Sequence, residues 1–377
     1  MANPPPLIGY CTNVHAGNSL ELTLENLGRY SAAVREELGD RELGVGLWLP
    51  EAVVGELEDD ARLGRFRSEL EALGLFVFTI NGFPQGDFHA EVVKGAVYRP
   101  DWQDRRRLDH TLRLARLLAD IAPREIDSLS ISTLPIGWRT SIESIESAVD
   151  HLVEAARQLR ELESRTGRLV HVDLEPEPGC YLDRARDVVG FFERLPDFAR
   201  RYLRVCHDIC HGAVMFENQA EVIGTYREAG IGIGKVQVSS CPEGRVVEGD
   251  PAVARALADF AEPRYLHQSV LRSDDGTCTF FEDLPRLLER GIGTGTVRVH
   301  FHVPLFVEAL GPLGTTQSEI REFIRAFPDE LPPLEVETYA WNVLPEAYAP
   351  SGLARGIAEE LRWVRRLVEQ EGFGTTG

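Results

Sequence analysis

The sequence predicts a (β/α)8 TIM barrel, a parallel α/β fold built as a single domain over residues 1–377 with insertions at its C-terminal face. Three observations lead there. Runs rich in β-branched and aromatic residues alternate with helical stretches from one end of the chain to the other. No repeat, low-complexity tract or Pro/Gly/Ser linker divides them. Carboxylates, an amide and imidazoles recur where successive runs end, which is where such barrels carry their chemistry. A chain of 377 residues exceeds a minimal domain, yet a barrel with insertions reaches this length as one unit.

In chain order the strand-like runs are LIGYCTNVH (7–15), GVGLWLP (44–50), LFVFTINGF (75–83), SLSISTLP (128–135), RLVHVDLEP (168–176), RVCHDICH (204–211), IGKVQVSS (233–240), VRVHFHVP (297–304) and LEVETYAW (334–341). A barrel of eight leaves one of these over, and either 233–240 or 297–304 is the seventh strand. Among the helices between them, SLELTLENLGRYSAAVREELG takes Ser19 as its N-cap, and SIESAVDHLVEAARQLRELESRTG stops at Gly167, a residue suited to a C-terminal cap. Two stretches break the alternation, about 85–107 and 241–296. Long loops at a barrel mouth act as lids or binding segments.

Composition narrows the function. A hydrophobic fraction of 43% and a charged fraction of 27% are those of a soluble globular enzyme. Sixty acidic against 40 basic residues give a net charge of −20, which repels a phosphate backbone, so nucleic acid is not an expected partner. The start, MANPPPLIGY, lacks a basic segment followed by an apolar run, and no stretch approaches the ~18 apolar residues of a membrane span. The expected location is cytoplasmic, with no membrane segment. Cys11, Cys180, Cys206, Cys210, Cys241 and Cys278 are too sparse for a disulfide framework and read as thiols. Cys206 and Cys210 in CHDIC have no second pair at zinc-finger spacing.

The ends of the runs hold the candidate chemistry. VHVDLEPEPG places Glu175 at a strand terminus, with His171 and Asp173 of the same parity beneath it and Glu177 in the turn that follows. RVCHDICHG delivers Asp208 and then His211, which returns to the same mouth if the strand stops near Asp208; His207 has the opposite parity and is set aside. GKVQVSS aligns Lys235, Gln237 and Ser239. Gln237 offers an oxygen to a hard cation or an amide to a hydroxyl, although a buried structural glutamine fits nearly as well. In VHFHVP, His300 and His302 share one strand face: a single imidazole there reads as a locally bonded strand residue, whereas two point to a metal or a charged substrate. LEVETYAW offers Glu335 and Glu337, of which Glu337 is nearer the strand end. Such a set suits Mn²⁺, Mg²⁺, Co²⁺ or Zn²⁺.

In order and type these residues resemble the xylose isomerase-like TIM barrels, sugar isomerases and epimerases whose superfamily includes the endonuclease IV barrels. The pattern there is a Glu, then Asp-x-x-His, then a His or equivalent, then a last-strand Glu; here it is Glu175, Asp208 and His211 of DICH, Gln237 and Glu337. From about Gly9 to Trp341 the chain resembles EboE-type proteins, metabolite traffic proteins of sugar phosphate isomerase/epimerase type, through GYCTNVHAGNSL, FTINGFPQGDFH, VKGAVYRPDW, LEPEPGC, CHDICHGAV, EPRYLHQ, VHFHVPLF, GTTQSEI and LEVETYAW. The resemblance implies a divalent ion held by Glu175, Asp208 and Glu337, with Glu175 or Glu337 moving a proton between the carbons of a polyol or cyclitol-type metabolite. It also implies a second metal group, His211 with His300 and His302, as in trinuclear relatives. Gln237 stands where the family commonly has His, and His300 where trinuclear relatives have Asp, so metal number and identity stay open. Substrate-side residues implied are Asn13, His15, Asn81, His89, Lys94, Tyr98, Trp102, Lys235 and His267, although the loop carrying Lys94 and Trp102 reads equally as a packing lid. Two other functions remain: a metal-dependent phosphoesterase, and a barrel that binds or hands over a metabolite without turning it over. Self-association into a homo-oligomer is also open.

Overall fold

Alternation along each run sorts side chains between two environments. In β5 (Leu169–Leu174), Val170, Val172 and Leu174 occupy one face and His171 and Asp173 the other, and all five are buried. Asp173 accepts the Ser130 hydroxyl of the neighbouring strand at 2.5 Å, and a Cβ at Gly234, two strands away, would lie 2.1 Å from its Oδ2, so the polar parity points inward and the apolar parity packs against the surrounding helices. The computed structural model describes residues 5–15, 17–86, 93–248, 250–345 and 352–374. In it β1 (Ile8–Cys11), β2 (Leu43–Trp48), β3 (Leu75–Asn81), β4 (Ser128–Thr133), β5, β6 (Leu203–Asp208) and β7 (Ile233–Val238) run parallel. A short last strand, β14 (Leu334–Val336), pairs with both β7 and β1 and closes an eight-stranded barrel. Gly46 is needed for this interior: a Cβ there would lie 1.5 Å from Oε1 of Glu335.

The surplus ninth run is resolved by a second sheet. Residues 233–238 form the seventh barrel strand, and the run around 297–304 belongs elsewhere. Between β7 and β14 the chain builds β8 (Pro242–Val246), β9 (Ser269–Ser273), β10 (Cys278–Phe281), β11 (Gly295–Val299), β12 (Ala309–Leu310) and β13 (Leu313–Thr315), in the antiparallel order β10-β9-β11-β8-β13-β12. The insertion therefore reaches Thr315, beyond the expected 296. It supplies the wall that stands over the barrel mouth.

Several strands stop earlier than their residue types predict, each for a local reason. β1 gives way to a 3-10 turn over Thr12–His15. β6 ends because the Asp208 carboxylate accepts the amide of His211 and so caps the helix Ile209–Val214. β11 ends at Val299, where the Phe301 amide turns back to the Val299 carbonyl at 2.8 Å, so His300 and His302 sit in irregular backbone beyond the strand and not on a strand face. Ser19 caps a helix that continues to Leu38 through a π-helical segment over Leu27–Ser31, and Gly167 (φ 70°) closes the helix Ile145–Thr166. Within the first insertion the described part is a 3-10 turn over Lys94–Tyr98, and its end is already helical, from Arg105 to Ile121. The buried Arg107 ties this region down by donating to the carbonyls of Gly82, Phe83 and Pro100. Among the described residues no helix is long and apolar enough to cross a membrane.

Candidate metal centre

Three strand ends bring Glu175, Asp208 and Glu337 together at the C-terminal mouth. One oxygen from each lies within 4.8 Å of the others, and all three residues are buried. Register brings two of them close: Asp208 pairs with Gln237 across β6 and β7, and Glu337 lies two residues beyond Glu335, the β14 partner of Gln237, just past the end of that strand. Asp208 is oriented by the His211 amide (2.9 Å) and by the Ser239 hydroxyl (2.7 Å), both donating to Oδ1. Asn13 donates to Oε1 of Glu337 at 2.8 Å. Glu175 accepts no side-chain hydrogen bond from the described residues.

Three buried carboxylates at this spacing resist ionising together. Burial, reinforced by Glu337 and Asp208, pushes the Glu175 carboxyl well above its ordinary range. Burial, then Asp208 and Glu335, push Glu337 up to about 8. Burial also works to raise Asp208, but the His211 and His302 rings beside it, with its two donors, bring it below the usual value. Three buried atoms here lack any hydrogen-bond partner: Oδ2 of Asp208, Oε1 of Gln237 and Nε2 of His302. All three are electron-pair donors. Each of them is a group that a divalent cation accepts as a ligand, and a cation's charge would offset the carboxylate repulsion, so the chemistry of the residues present fits such an ion.

The imidazoles extend the deficit. Nδ1 of His211 meets the carbonyl of Pro176 at 2.8 Å, Nδ1 of His302 meets that of Glu337 at 2.6 Å, and Nδ1 of His300 meets Oε1 of Gln268 at 2.8 Å. Each partner is an oxygen that only accepts, so each Nδ1 donates to it and each Nε2 is the ring nitrogen left for other contacts. These nitrogens converge: Nε2 of His211 and His300 are 3.1 Å apart, within hydrogen-bond distance, and Nε2 of His302 lies 3.7 Å from Oδ2 of Asp208. Burial, with the neighbouring rings, holds His300 well below its ordinary value, and burial holds His302 at about 4 although Asp208 opposes it. Asp208, His211 and His302 form one group with metal-ligand spacing, Glu177, His211 and His300 another, and Cys210, His300 and His302 a third.

Beneath this layer Lys235 is wholly buried, donating to Oε2 of Glu335 at 2.5 Å and to Oδ1 of Asn81 at 2.7 Å. Asn81 in turn donates to Oε1 of Glu335 and receives the Gln237 amide at 2.9 Å, which turns the oxygen of Gln237 away, without a partner. Burial works to lower the Lys235 ammonium, but Glu335 together with Cys206, Cys11 and Glu175 outweighs it and raises the group above its ordinary value, so the lysine stays charged.

The expected substrate-side residues divide. Asn13, Asn81, Lys94 and Tyr98 line a cavity above the carboxylates, together with Glu177, His211, His300, His302 and Tyr339. Lys94 pairs with Asp283 at 2.5 Å, and the Tyr98 hydroxyl donates to Glu177 at 2.7 Å. Four others do not reach the cavity lining. His15 bonds Tyr10 and stacks on Tyr30. Trp102 is buried, with its indole N–H on Thr133. His267 bridges Glu262 and the carbonyl of His300. Lys235 lies in the barrel interior. His89 falls outside the described residues. His207, set aside on parity, bonds Gln219 and stacks on Phe323. Sequence reasoning passed over Glu177, whose parity with Glu175 was an available signal, and Cys210, dismissed with Cys206 as half of a zinc-finger pair. The six cysteines are free thiols.

No protein-family model and no curated protein match the sequence. Solved structures do. A xylose isomerase-like TIM barrel protein from Mycobacterium smegmatis, in complex with magnesium, superposes with a TM-score of 0.54 at 13% identity, over 97% of both chains. An L-ribulose 3-epimerase gives 0.51 at 16% identity, over 98% of this chain and 96% of that one. The fold is that of the xylose isomerase-like TIM barrels.

Proposed function

We propose that this chain binds a divalent cation through Glu175, Asp208, Gln237 and Glu337 and acts on a polyol or cyclitol-type metabolite as an isomerase or epimerase, in the manner of the EboE-type proteins it resembles. The observation that carries this reading is the convergence of three buried carboxylates within 4.8 Å on a layer with partnerless donor atoms. Such an ion supplies Lewis acidity and a seat for two vicinal substrate oxygens. Glu337, with Oε1 fixed by Asn13, serves as a rigid ligand. Glu175 has no side-chain bond to hold it and is the carboxylate best able to move a proton between adjacent carbons. The magnesium complex and the epimerase are proteins of the same fold, and what they bind or convert supports the reading by analogy only.

The test combines metal content with proton exchange. Purified protein should carry or take up Mn²⁺, Mg²⁺, Co²⁺ or Zn²⁺ near one ion per chain or above, and the loaded protein should wash deuterium from D2O into one member of a panel of ketoses and keto-cyclitols. Glu175→Gln should stop that exchange. Undiminished exchange by metal-stripped protein would refute the reading.

A second reading rests on the imidazole group. Three Nε2 nitrogens beside a carboxylate trio suit a second ion and hence a metal-dependent phosphoesterase. The charge of −20 opposes a nucleic-acid substrate, so its substrate would be a small phosphodiester. Zinc-dependent hydrolysis of bis(p-nitrophenyl) phosphate, without deuterium exchange, would favour it.

A further inference from the structure

The cavity over the candidate metal centre is split by chemistry. Its floor comes from the barrel and the histidine segment and is polar: carboxylates, amides and imidazoles. Its walls are apolar and come from the segments above the mouth, Phe83, Val93 and Val97 on one side and Tyr265 and Leu266 on the other. Hydrogen bonds from the amides of Val93 and Lys94 to the Arg264 carbonyl hold the two walls together. Phe83, Val97 and Leu266 pack against the core yet remain partly exposed at this place. A ligand that covered them would remove apolar surface from water, a gain that a bare polyol cannot collect.

Positive charge is scarce in the same cavity. Lys94 is the one lysine or arginine among its described lining residues, and its ammonium is engaged by Asp283, whose other oxygen accepts the His267 amide at 3.1 Å. Glu175, Glu177 and Glu337 all face the cavity. A phosphate carried away from the metal end would meet carboxylates and an occupied lysine, with no guanidinium or free ammonium among the described lining residues to pair with it.

We propose, resting on the isomerase or epimerase reading above, that the cavity takes an uncharged, oxygen-rich head joined to an apolar group, such as an aryl or alkyl ether of a polyol or cyclitol, in preference to a sugar phosphate. The head's oxygens face the carboxylate floor. The apolar group lies against Phe83, Val97 and Leu266, which thereby set specificity.

Titration calorimetry on the full, Mn²⁺-loaded chain tests this with two matched triplets: D-glucose, D-glucose 6-phosphate and phenyl β-D-glucopyranoside, and myo-inositol, its 1-phosphate and its mono-O-benzyl ether. In at least one triplet the aryl member should bind about tenfold or more tighter than its parent, the gain expected when part of an aromatic ring leaves water, and the phosphate no tighter than the parent. Leu266→Asp should bring the aryl-to-parent ratio towards one; Val97→Asp is the second variant should the first not fold by circular dichroism. A phosphate that binds tightest, an aryl group without benefit, or a ratio untouched by a folded wall variant overturns the inference while the metal-dependent reading stands. Bound Mn²⁺ with no affinity for any member of either triplet overturns the inference as well, whereas the isomerase or epimerase reading is decided separately by the deuterium exchange described above.

Discussion

Two buried polar clusters are stacked in this barrel, one layer apart, and they differ in whether they are complete. In the lower one, Lys235, Glu335 and Asn81 are almost wholly buried, and charge and hydrogen bonds close on themselves: ammonium to carboxylate at 2.5 Å, ammonium to amide oxygen at 2.7 Å, amide nitrogen to carboxylate at 2.9 Å. In the upper one, Glu175, Asp208, Gln237 and Glu337 are also buried, with Glu175 and Glu337 lining the cavity, yet the layer holds three carboxylates, no lysine or arginine and two partnerless oxygens. Burial alone does not mark a site. A buried surplus of acceptors marks a candidate site, because such a surplus is relieved either by protons on the carboxyls or by something bound from outside.

The comparison is broken most severely by opening the lower cluster. Lys235→Met leaves the Glu335 carboxylate buried without its cation and should cost about 3–5 kcal/mol in urea unfolding. Lys235→Met combined with Glu335→Gln should recover most of it. A cost under about 1 kcal/mol would mean that the ion pair is not what holds this layer together. Next in size is the upper cluster. Asp208→Asn keeps an oxygen to cap the helix Ile209–Val214, so metal-free stability should change by no more than about 1 kcal/mol. Mn²⁺ affinity measured by calorimetry should nevertheless fall about a hundredfold or more. Equal damage to stability and to Mn²⁺ binding in both variants would erase the distinction between the layers.

How much of this was legible in the sequence follows from which interactions are local. The barrel, the inward parity of Asp173, Asp208 and Gln237, and the delivery of Glu175 and Glu337 at strand ends are period-two properties of single runs, and alternation exposes them. The partner of Lys235 was hidden because β7 and β14 become neighbours only after the long second insertion. The place of Glu177 was hidden for the same reason: Tyr98 and Gln268, from the two insertions, hold its carboxylate. His300 and His302 do approach the mouth, but not through the strand alternation that drew attention to them. A backbone turn at Phe301 redirects the chain, and one strand-like pattern cannot reveal where its ladder of partners ends. Apart from β11, which the run 297–304 overlaps, the short strands of the second sheet read as loop because each owes its conformation to neighbours distant in sequence.

The smallest effect separates desolvation from cation deficiency. Glu217 lies outside the barrel, and burial pushes its carboxyl up to about 7, only partly offset by the Ala185 amide at 3.1 Å and by Arg184. Its value in the unfolded chain is the ordinary 4.5, so the folded state holds the proton more tightly. The stability this contributes is complete below the unfolded value and is lost as pH rises through about 7. Glu217→Gln keeps an acceptor for Ala185 and should be indistinguishable from the parent below pH ~4.5, then more stable by about 1 kcal/mol at pH ~8, a figure reduced for the group's partial exposure. Because the penalty comes from lost water and not from a missing ion, the difference between Glu217→Gln and parent should be the same with and without Mn²⁺. Urea midpoints across that range, read in chelator and in Mn²⁺, decide it: a Glu217 difference that vanishes on adding Mn²⁺ would show that burial outside the carboxylate cluster is coupled to the ion, and the contrast between a merely desolvated carboxyl and a cation-deficient cluster would fail.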